Sequence, residues 1–251
     1  MDARRVAGFN AKKDGHAFER ALAQKLGDRF IHFDDGQNKT DLMSVDQRLK
    51  ISLKNSALTH TQVALIAQQT LADYLGLSSD GVSFIKLFFG FADGSILNQN
   101  KLNKYDIDIK MLSRPDEVMR NRLLFKNIPE KYSQSFMDAL NNNELKDNFF
   151  NKLIVGKSNI IAWTRKKNNI DSVQYALMSD LIALLKKGVW KISSGGSTIE
   201  LKFDGTRLMY VQMKGSSTKY SAGYHSCMFH LYRSVMDRIN IVNDVRLIGL
   251  D

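Results

Sequence analysis

Cysteine, proline and long apolar runs are scarce in this sequence: its 251 residues include one Cys and two Pro. The single thiol, Cys227, cannot form a disulfide within the chain, which fits a reducing compartment, and no second thiol is present for a cysteine-based zinc site. No stretch approaches the roughly 18 consecutive apolar residues of a membrane span, and the N-terminal residues lack the apolar segment of a secretory signal. We therefore expect a soluble intracellular protein with no membrane partner.

Positive charge, by contrast, is in excess, with a formal net charge of +10. The excess is uneven, because residues 152–251 contain 15 Lys and Arg against 7 Asp and Glu, a difference of +8. A basic balance of this size favours polyanionic partners through contacts with phosphates and release of counterions. Nucleic acid is the partner class that the charge predicts first.

Apolar spacing predicts the elements of the first half. A helix is expected over 14–26, where Phe18, Leu22 and Leu26 form one stripe that ends at Gly27. Residues 41–45 and 48–55 predict a pair of strands joined at Asp46 and Gln47. A second helix is expected over 59–77 and a strand over 82–90.

The remaining chain predicts a helical region followed by a β-rich one. Pro115 lies just inside an expected helix that runs to about Phe125, and Pro129 opens another. Beyond a helix over 171–187, strands are expected at 189–193, 198–203, 208–214 and 227–232, with turns at Gly195-Gly196 and Asp204-Gly205. We expect one domain over 1–251 with approximate subregions 1–92, a helical insertion over 93–170, and a β-rich DNA-contact region over 171–251.

Three charged residues near the predicted hairpin suggest a phosphodiesterase site. Asp41 begins the first strand, and alternation places Ser52 and Lys54 on one face of the second strand. Glu19 lies on the preceding helix, one residue from its buried stripe. Carboxylate and carbonyl oxygens suit Mg²⁺, so Asp41, Glu19 and the carbonyl of Leu53 are candidate ligands. The candidate catalytic residues are Glu19, Asp41, Ser52 and Lys54.

The segments NAKKDGHAFERALAQKLGDRF, KTDLMSV and KISLKNS resemble the small type II restriction endonucleases related to MspI, which belong to the PD-(D/E)xK superfamily. In those relatives Asn or Gln replaces the usual acid two residues before the lysine, so Ser52 departs from both patterns. A third likeness lies in LMYVQMKGSSTKYSAGYHSCMFHLY, residues 208–232. The resemblance covers about a third of the chain, at both ends.

This resemblance implies an α/β fold with a mixed central sheet flanked by helices, of the PD-(D/E)xK nuclease type. It further implies a Mg²⁺-dependent enzyme that cuts double-stranded DNA at a short specific sequence, in the cytoplasm of a prokaryotic cell. A cognate DNA methyltransferase is the expected companion, and either a monomer or a homodimer is compatible. Two alternatives stay open: a repair or junction nuclease that recognises DNA structure, and a DNA-binding protein with a degenerate site.

A second set of residues competes for the catalytic role. Asp204, Gln212 and Lys214 follow the D-x7-QxK pattern on two strands linked by the Asp204-Gly205 turn. As a bare motif it is the better one, but the matching region of the relatives resembles a DNA-contact element. We therefore favour the set around Asp41 and Lys54.

Two polar segments are predicted to contact DNA. The loop after the third C-terminal strand combines ammonium groups, hydroxyls and an imidazole, which can bind phosphates and reach base edges. A consecutive basic cluster earlier in the chain suits a phosphate clamp. The candidate residues are Lys214, Ser216, Ser217, Thr218, Lys219, Tyr220 and His225 in the loop, and Arg165, Lys166 and Lys167 in the cluster.

Overall fold

A computed structural model describes residues 3–35, 40–56, 58–89, 99–112, 123–156, 158–193, 198–212 and 226–248. Over these ranges the chain is a mixed α/β structure with two five-stranded sheets and several helices. It forms two compact units: Met1–Thr61 with Val155–Leu184 and Arg233–Asp251, and Gln62–Ile154 with Leu185–Tyr232. Among the helices so described, none has both the length and the apolar content needed to span a membrane.

The principal elements are the following. The helices are α1 (Ala3–Leu26), α2 (Gln68–Tyr74), α3 (Ser79–Phe89), α4 (Gln99–Leu102), α5 (Glu130–Asn141), α6 (Asn143–Asn148) and α7 (Met178–Lys187). The strands are β1 (Phe30–Asp35), β2 (Thr40–Ser44), β3 (Lys50–Lys54), β4 (His60–Ala67), β5 (Ile160–Thr164), β6 (Val173–Leu177), β7 (Val189–Ile192), β8 (Thr198–Phe203), β9 (Thr206–Gln212) and β10 (Ser226–Tyr232). A π-helical turn at Phe149–Val155 follows α6.

The first unit is built on a sheet of order β1-β2-β3-β5-β6, in which β3 and β5 run parallel and the other neighbours antiparallel. The apolar stripe predicted for α1 is confirmed, since Phe18 and Leu22 are buried against Leu42 and Ile51 in one core cluster. The predicted hairpin is confirmed as β2 and β3. Its turn contains Gln47 with a φ of 60°, a left-handed conformation that is uncommon outside glycine.

The second unit contains a sheet of order β4-β10-β9-β8-β7. The predicted C-terminal strands are confirmed as β7 to β10, and the Asp204-Gly205 turn is confirmed by positive φ values of 47° and 70°. Helix α5 follows Pro129 as predicted. Helices α3 and α5 share an aromatic core, in which the rings of Phe84 and Phe136 stack with centroids 4.9 Å apart.

Two expectations in the first half are wrong. Residues 60–67 form strand β4 rather than the start of a helix, and only 68–74 are helical. Ala64 and Ile66 are buried while Leu65 and Ala67 are exposed, which is the strand period, and this segment pairs with β10. Residues 82–90 were expected to be a strand, but α3 occupies 79–89. Its phenylalanines are packed as a helix face against α5.

Two further expectations fail in the second half. The helix expected over 171–187 begins only at Met178, because Val173–Leu177 pair with β5 as strand β6. The region expected to be a helical insertion over 93–170 also contains β5, which pairs with β3 in the sheet of the first unit. Both strands are buried on both faces, so they lack the alternation that identifies a strand in sequence. Pro115 and Gly195-Gly196 lie outside the described residues.

Candidate active site on the first sheet

The β2–β3 hairpin positions two of the predicted residues next to each other. Leu42 is paired with Ile51, and continuing this antiparallel register places Asp41 opposite Ser52. The pleat turns Leu42 and Ile51 toward α1, so the side chains of Asp41 and Ser52 emerge on the other side of the strands. Ser52 is buried, with 3% of its surface exposed.

The Asp41 carboxylate is bonded to the backbone of the neighbouring strand. The amide N–H of Leu53 donates to Oδ2 of Asp41, with a nitrogen–oxygen distance of 2.5 Å. Burial raises the pKa of the Asp41 carboxyl, and the positive charge of Lys54 and the Leu53 hydrogen bond oppose this increase. The charge of Glu19 raises the same pKa further, and His32 lowers it. Asp41 therefore lies within the electrostatic reach of Glu19, Lys54 and His32.

The same neighbours affect the pKa of Lys54. Burial lowers the pKa of its ammonium group, whereas the negative charges of Asp41 and Glu19 raise it. Asp41, Lys54 and Glu19, three of the four predicted catalytic residues, therefore lie close enough to affect one another's charge, and the neutral Ser52 lies opposite Asp41 on β3. Ionised, the two carboxylates and one ammonium carry a net charge of −1.

Glu19 has two partners that sequence reasoning missed. Its Oε2 lies 3.0 Å from Nδ1 of His16 and 2.9 Å from Nε2 of His32. His16 precedes Glu19 by three residues on α1, a spacing that places both on one helix face and that could have been recognised. His32 belongs to β1, and only the packing of that strand against α1 brings it to Glu19.

The predicted basic cluster lies next to the carboxyl end of β3. Because β3 and β5 are parallel, with Lys54 paired to Trp163, the loop after β5 starts at the edge where Lys54 lies. The side chain of Asn55 donates to Oδ1 of Asn168 at 2.8 Å and accepts from the Asn168 N–H at 2.9 Å. The exposed residues of this loop are Arg165, Lys166, Lys167 and Asn168.

A second arginine joins this basic loop, defined as residues 165–168. Nη1 of Arg233 donates to the carbonyl of Arg165 at 2.8 Å, within the same unit of the fold. The Arg165 N–H is held by the carbonyl of Ser172 at 2.9 Å. The loop is therefore anchored through its backbone, which leaves its basic side chains in exposed positions.

The competing set is not brought together. Asp204 occupies the turn between β8 and β9, whereas Gln212 pairs with Thr198 at the opposite end of the same hairpin. At about 3.4 Å per residue, the two are about 20 Å apart. A single metal ion cannot contact both, so the arrangement favours the set around Asp41 and Lys54.

The predicted C-terminal DNA-contact loop lies outside the described residues. This applies to Lys214, Ser216, Ser217, Thr218, Lys219, Tyr220 and His225. Its two flanking strands are described, and β9 pairs antiparallel with β10. The role of this loop in DNA contact stays a prediction.

Comparisons with known proteins add a structural likeness. No protein-family model matches the chain, and no curated protein matches it. A crystal structure of the restriction endonuclease MspI in complex with its cognate DNA matches over 80% of this chain and 69% of that chain. The sequence identity is 13% and the TM-score is 0.31. A likeness of this size establishes neither a family nor a shared activity.

Proposed function

We propose that this protein is an endonuclease that hydrolyses double-stranded DNA at a short specific sequence with the help of a divalent metal ion. The observation that carries the proposal is the coupled group of Asp41, Lys54 and Glu19 beside the anchored basic loop. Carboxylates next to a partly buried lysine suit phosphodiester hydrolysis, and exposed basic side chains nearby suit the phosphates of the substrate.

The donor set fits Mg²⁺. Asp41 and Glu19 supply carboxylate oxygens and Leu53 a carbonyl, which are the ligand types that this ion prefers. Burial disfavours the charged form of Asp41, and a bound cation would offset that effect. When bound, Mg²⁺ would stabilise negative charge on the scissile phosphate. Ser52 adds no charge where the usual pattern carries an acid, so we expect weaker affinity for the ion.

Lys54 orients the attacking water in this proposal. Its lowered pKa leaves a larger fraction of Nζ unprotonated near neutral pH than in an exposed lysine, and so able to accept a proton, while Asp41 and Glu19 limit that shift. The burial of Lys54 also restricts the positions that Nζ can take. In this proposal Lys54 both positions the attacking water and accepts its proton, and the β2–β3 hairpin determines the surroundings of Lys54.

Substrate binding is assigned to two basic segments. Arg165, Lys166 and Lys167 contact phosphates next to the cleavage site, and the loop from Lys214 to His225 contacts phosphates and base edges. In a restriction system the host would also need a cognate DNA methyltransferase. The enzyme would act in the cytoplasm as a monomer or a homodimer.

The test is digestion of a fully sequenced phage DNA with purified protein and magnesium, followed by sequencing of the fragment ends. Asp41→Asn and Lys54→Ala should each reduce cleavage by at least about 100-fold, the usual range for general acid–base and electrostatic groups. Asp204→Asn and Lys131→Ala are matched controls at exposed positions and should cut at the parent rate.

Three outcomes would contradict the proposal in different ways. Cleavage that survives both site substitutions but is lost in Asp204→Asn would move the active site to the β8–β9 hairpin. Cleavage confined to branched or mismatched duplexes would identify a structure-specific nuclease. Sequence-specific binding with no cleavage in magnesium or manganese would identify a DNA-binding protein, for which the neutral Ser52 is the argument.

A further inference from the structure

We propose that His16, Glu19 and His32 form a binding site for a transition-metal dication such as Zn²⁺, with ligand chemistry different from that of a Mg²⁺ site. Nδ1 of His16 and Nε2 of His32 converge on the same carboxylate oxygen of Glu19, at 3.0 and 2.9 Å. One ligand atom from each of the three side chains lies within 4.8 Å of the other two. This proposal goes beyond the proposed nuclease activity; it shares Glu19 with the proposed Mg²⁺ ligands, but its test does not depend on that activity.

The fold itself holds the three side chains together. His16 and Glu19 are one helical turn apart on α1, and His32 projects from β1 toward that helix. The imidazole rings of His16 and His32 meet edge to face, with centroids 5.7 Å apart. All three side chains are mostly buried, with exposed fractions of 25%, 17% and 19% in chain order. A ligand set already assembled by packing loses little conformational entropy on binding.

The donor types decide which ion the site suits. Two imidazole nitrogens and one carboxylate oxygen favour Zn²⁺, Co²⁺ or Ni²⁺ over Mg²⁺, which prefers oxygen ligands. Zinc bonds of about 2.0–2.1 Å to three tetrahedral ligands place the ligand atoms about 3.3 Å apart, close to the spacing between Glu19 and each histidine. Three protein ligands leave a fourth position for water or another group.

The experiment is a Zn²⁺ titration of the full chain, without an affinity tag and without DNA, by calorimetry and by metal analysis after dialysis. We expect one Zn²⁺ per chain. His16→Ala and His32→Ala should each weaken binding by more than about 10-fold, since even partners outside the ligand shell are worth about 10- to 100-fold. His60→Ala in the same unit is the matched control and should retain parent affinity. Cys227 is fully buried and does not compete.

A thermal readout keeps the test informative if a variant folds less well. Zn²⁺ should raise the melting temperature of the parent and of His60→Ala but not that of His16→Gln or His32→Gln, because a ligand that binds only the native state stabilises it. Absence of a bound ion in the parent, or equal binding in all the histidine variants, would overturn the proposal and leave the cluster as hydrogen-bonded support for Glu19. Binding is measured without DNA, so failure here leaves the nuclease proposal untouched.

Discussion

Asn55 offers a way to loosen the basic loop without touching its charges. Its side chain makes two reciprocal hydrogen bonds with Asn168, whose φ of 59° is a left-handed conformation that needs support, and accepts one longer bond from Oγ1 of Thr164 at 3.4 Å. At about 0.5–1 kcal/mol for each exposed bond, Asn55→Ala should lower the free energy of unfolding by about 1–2 kcal/mol. A loop that must order itself again on DNA passes this free energy on to binding, so we expect a loss of about 5- to 30-fold in affinity.

Asn159→Ala is the matched control. Asn159 also makes two hydrogen bonds in the same unit, accepting from the Lys50 N–H at 2.7 Å and donating to the Arg48 carbonyl at 2.5 Å. It lies at the opposite end of the β3–β5 pair, away from residues 165–168. We expect a similar loss of stability from Asn159→Ala and no change in DNA affinity.

Two measurements separate the effects. Urea denaturation gives the free energy of unfolding of both variants, and fluorescence anisotropy with a labelled duplex, without divalent metal and over a salt series, gives affinity and salt slope. If both variants weaken DNA binding equally, the effect follows global stability and the phosphate role of the basic loop is wrong. Unchanged DNA affinity in Asn55→Ala would also show that the basic loop does not contact phosphates.

Three further predictions concern the candidate site and the loop predicted to contact DNA. Burial raises the folded-state pKa of Asp41, so the folded protein binds the Asp41 proton more tightly than the unfolded chain does. The parent should therefore lose stability relative to Asp41→Asn as pH rises through 3.8 toward the folded-state pKa. A difference in free energy of unfolding between the two proteins that stays constant from pH 3.5 to 8 would contradict this. Ser52→Asp should change the magnesium concentration for half-maximal cleavage, whereas Ser79→Asp at an exposed helix start should not; identical magnesium titrations would place Ser52 away from the metal. Alanine substitutions from Lys214 to His225 should fall into two kinds. Substitution of a lysine that contacts a phosphate should reduce the salt slope of DNA binding by about one unit, and at least one other substitution should cost about 1–3 kcal/mol of binding free energy on the cognate sequence only. If competition with scrambled duplexes leaves every specificity ratio unchanged, base recognition lies elsewhere.

Sequence patterns identified several of the elements in which one face meets solvent and the other meets the core. The stripe of Phe18 and Leu22 identified α1, and alternation identified the β2–β3 hairpin and the strands after Gly188. These local periods also placed Asp41 and Lys54 on neighbouring strands. The preference for this set over Asp204, Gln212 and Lys214 came from the resemblance to restriction endonucleases.

Sequence patterns failed where burial is set by distant partners. Strand β5 is buried at every residue, and β6 at all but its last, so neither shows a period. The phenylalanines of α3 have a high intrinsic preference for strands, but their packing on α5 makes the segment helical. In each case a tertiary contact outweighed a local preference worth about 1 kcal/mol or less.

The sequence by itself determined which chemistry this protein can carry: a basic chain with one thiol, an acid and a lysine on adjacent strands, and a glutamate on the helix before them. Only the tertiary structure decided which of these groups meet. The parallel pairing of β3 with β5 brings the basic loop to Lys54, the length of the β8–β9 hairpin separates Asp204 from Gln212, and the packing of β1 on α1 brings His32 to Glu19. The physical reason is that side-chain periodicity specifies the face on which a residue lies, whereas contacts between residues far apart in sequence depend on strand order and helix packing, which no local pattern encodes.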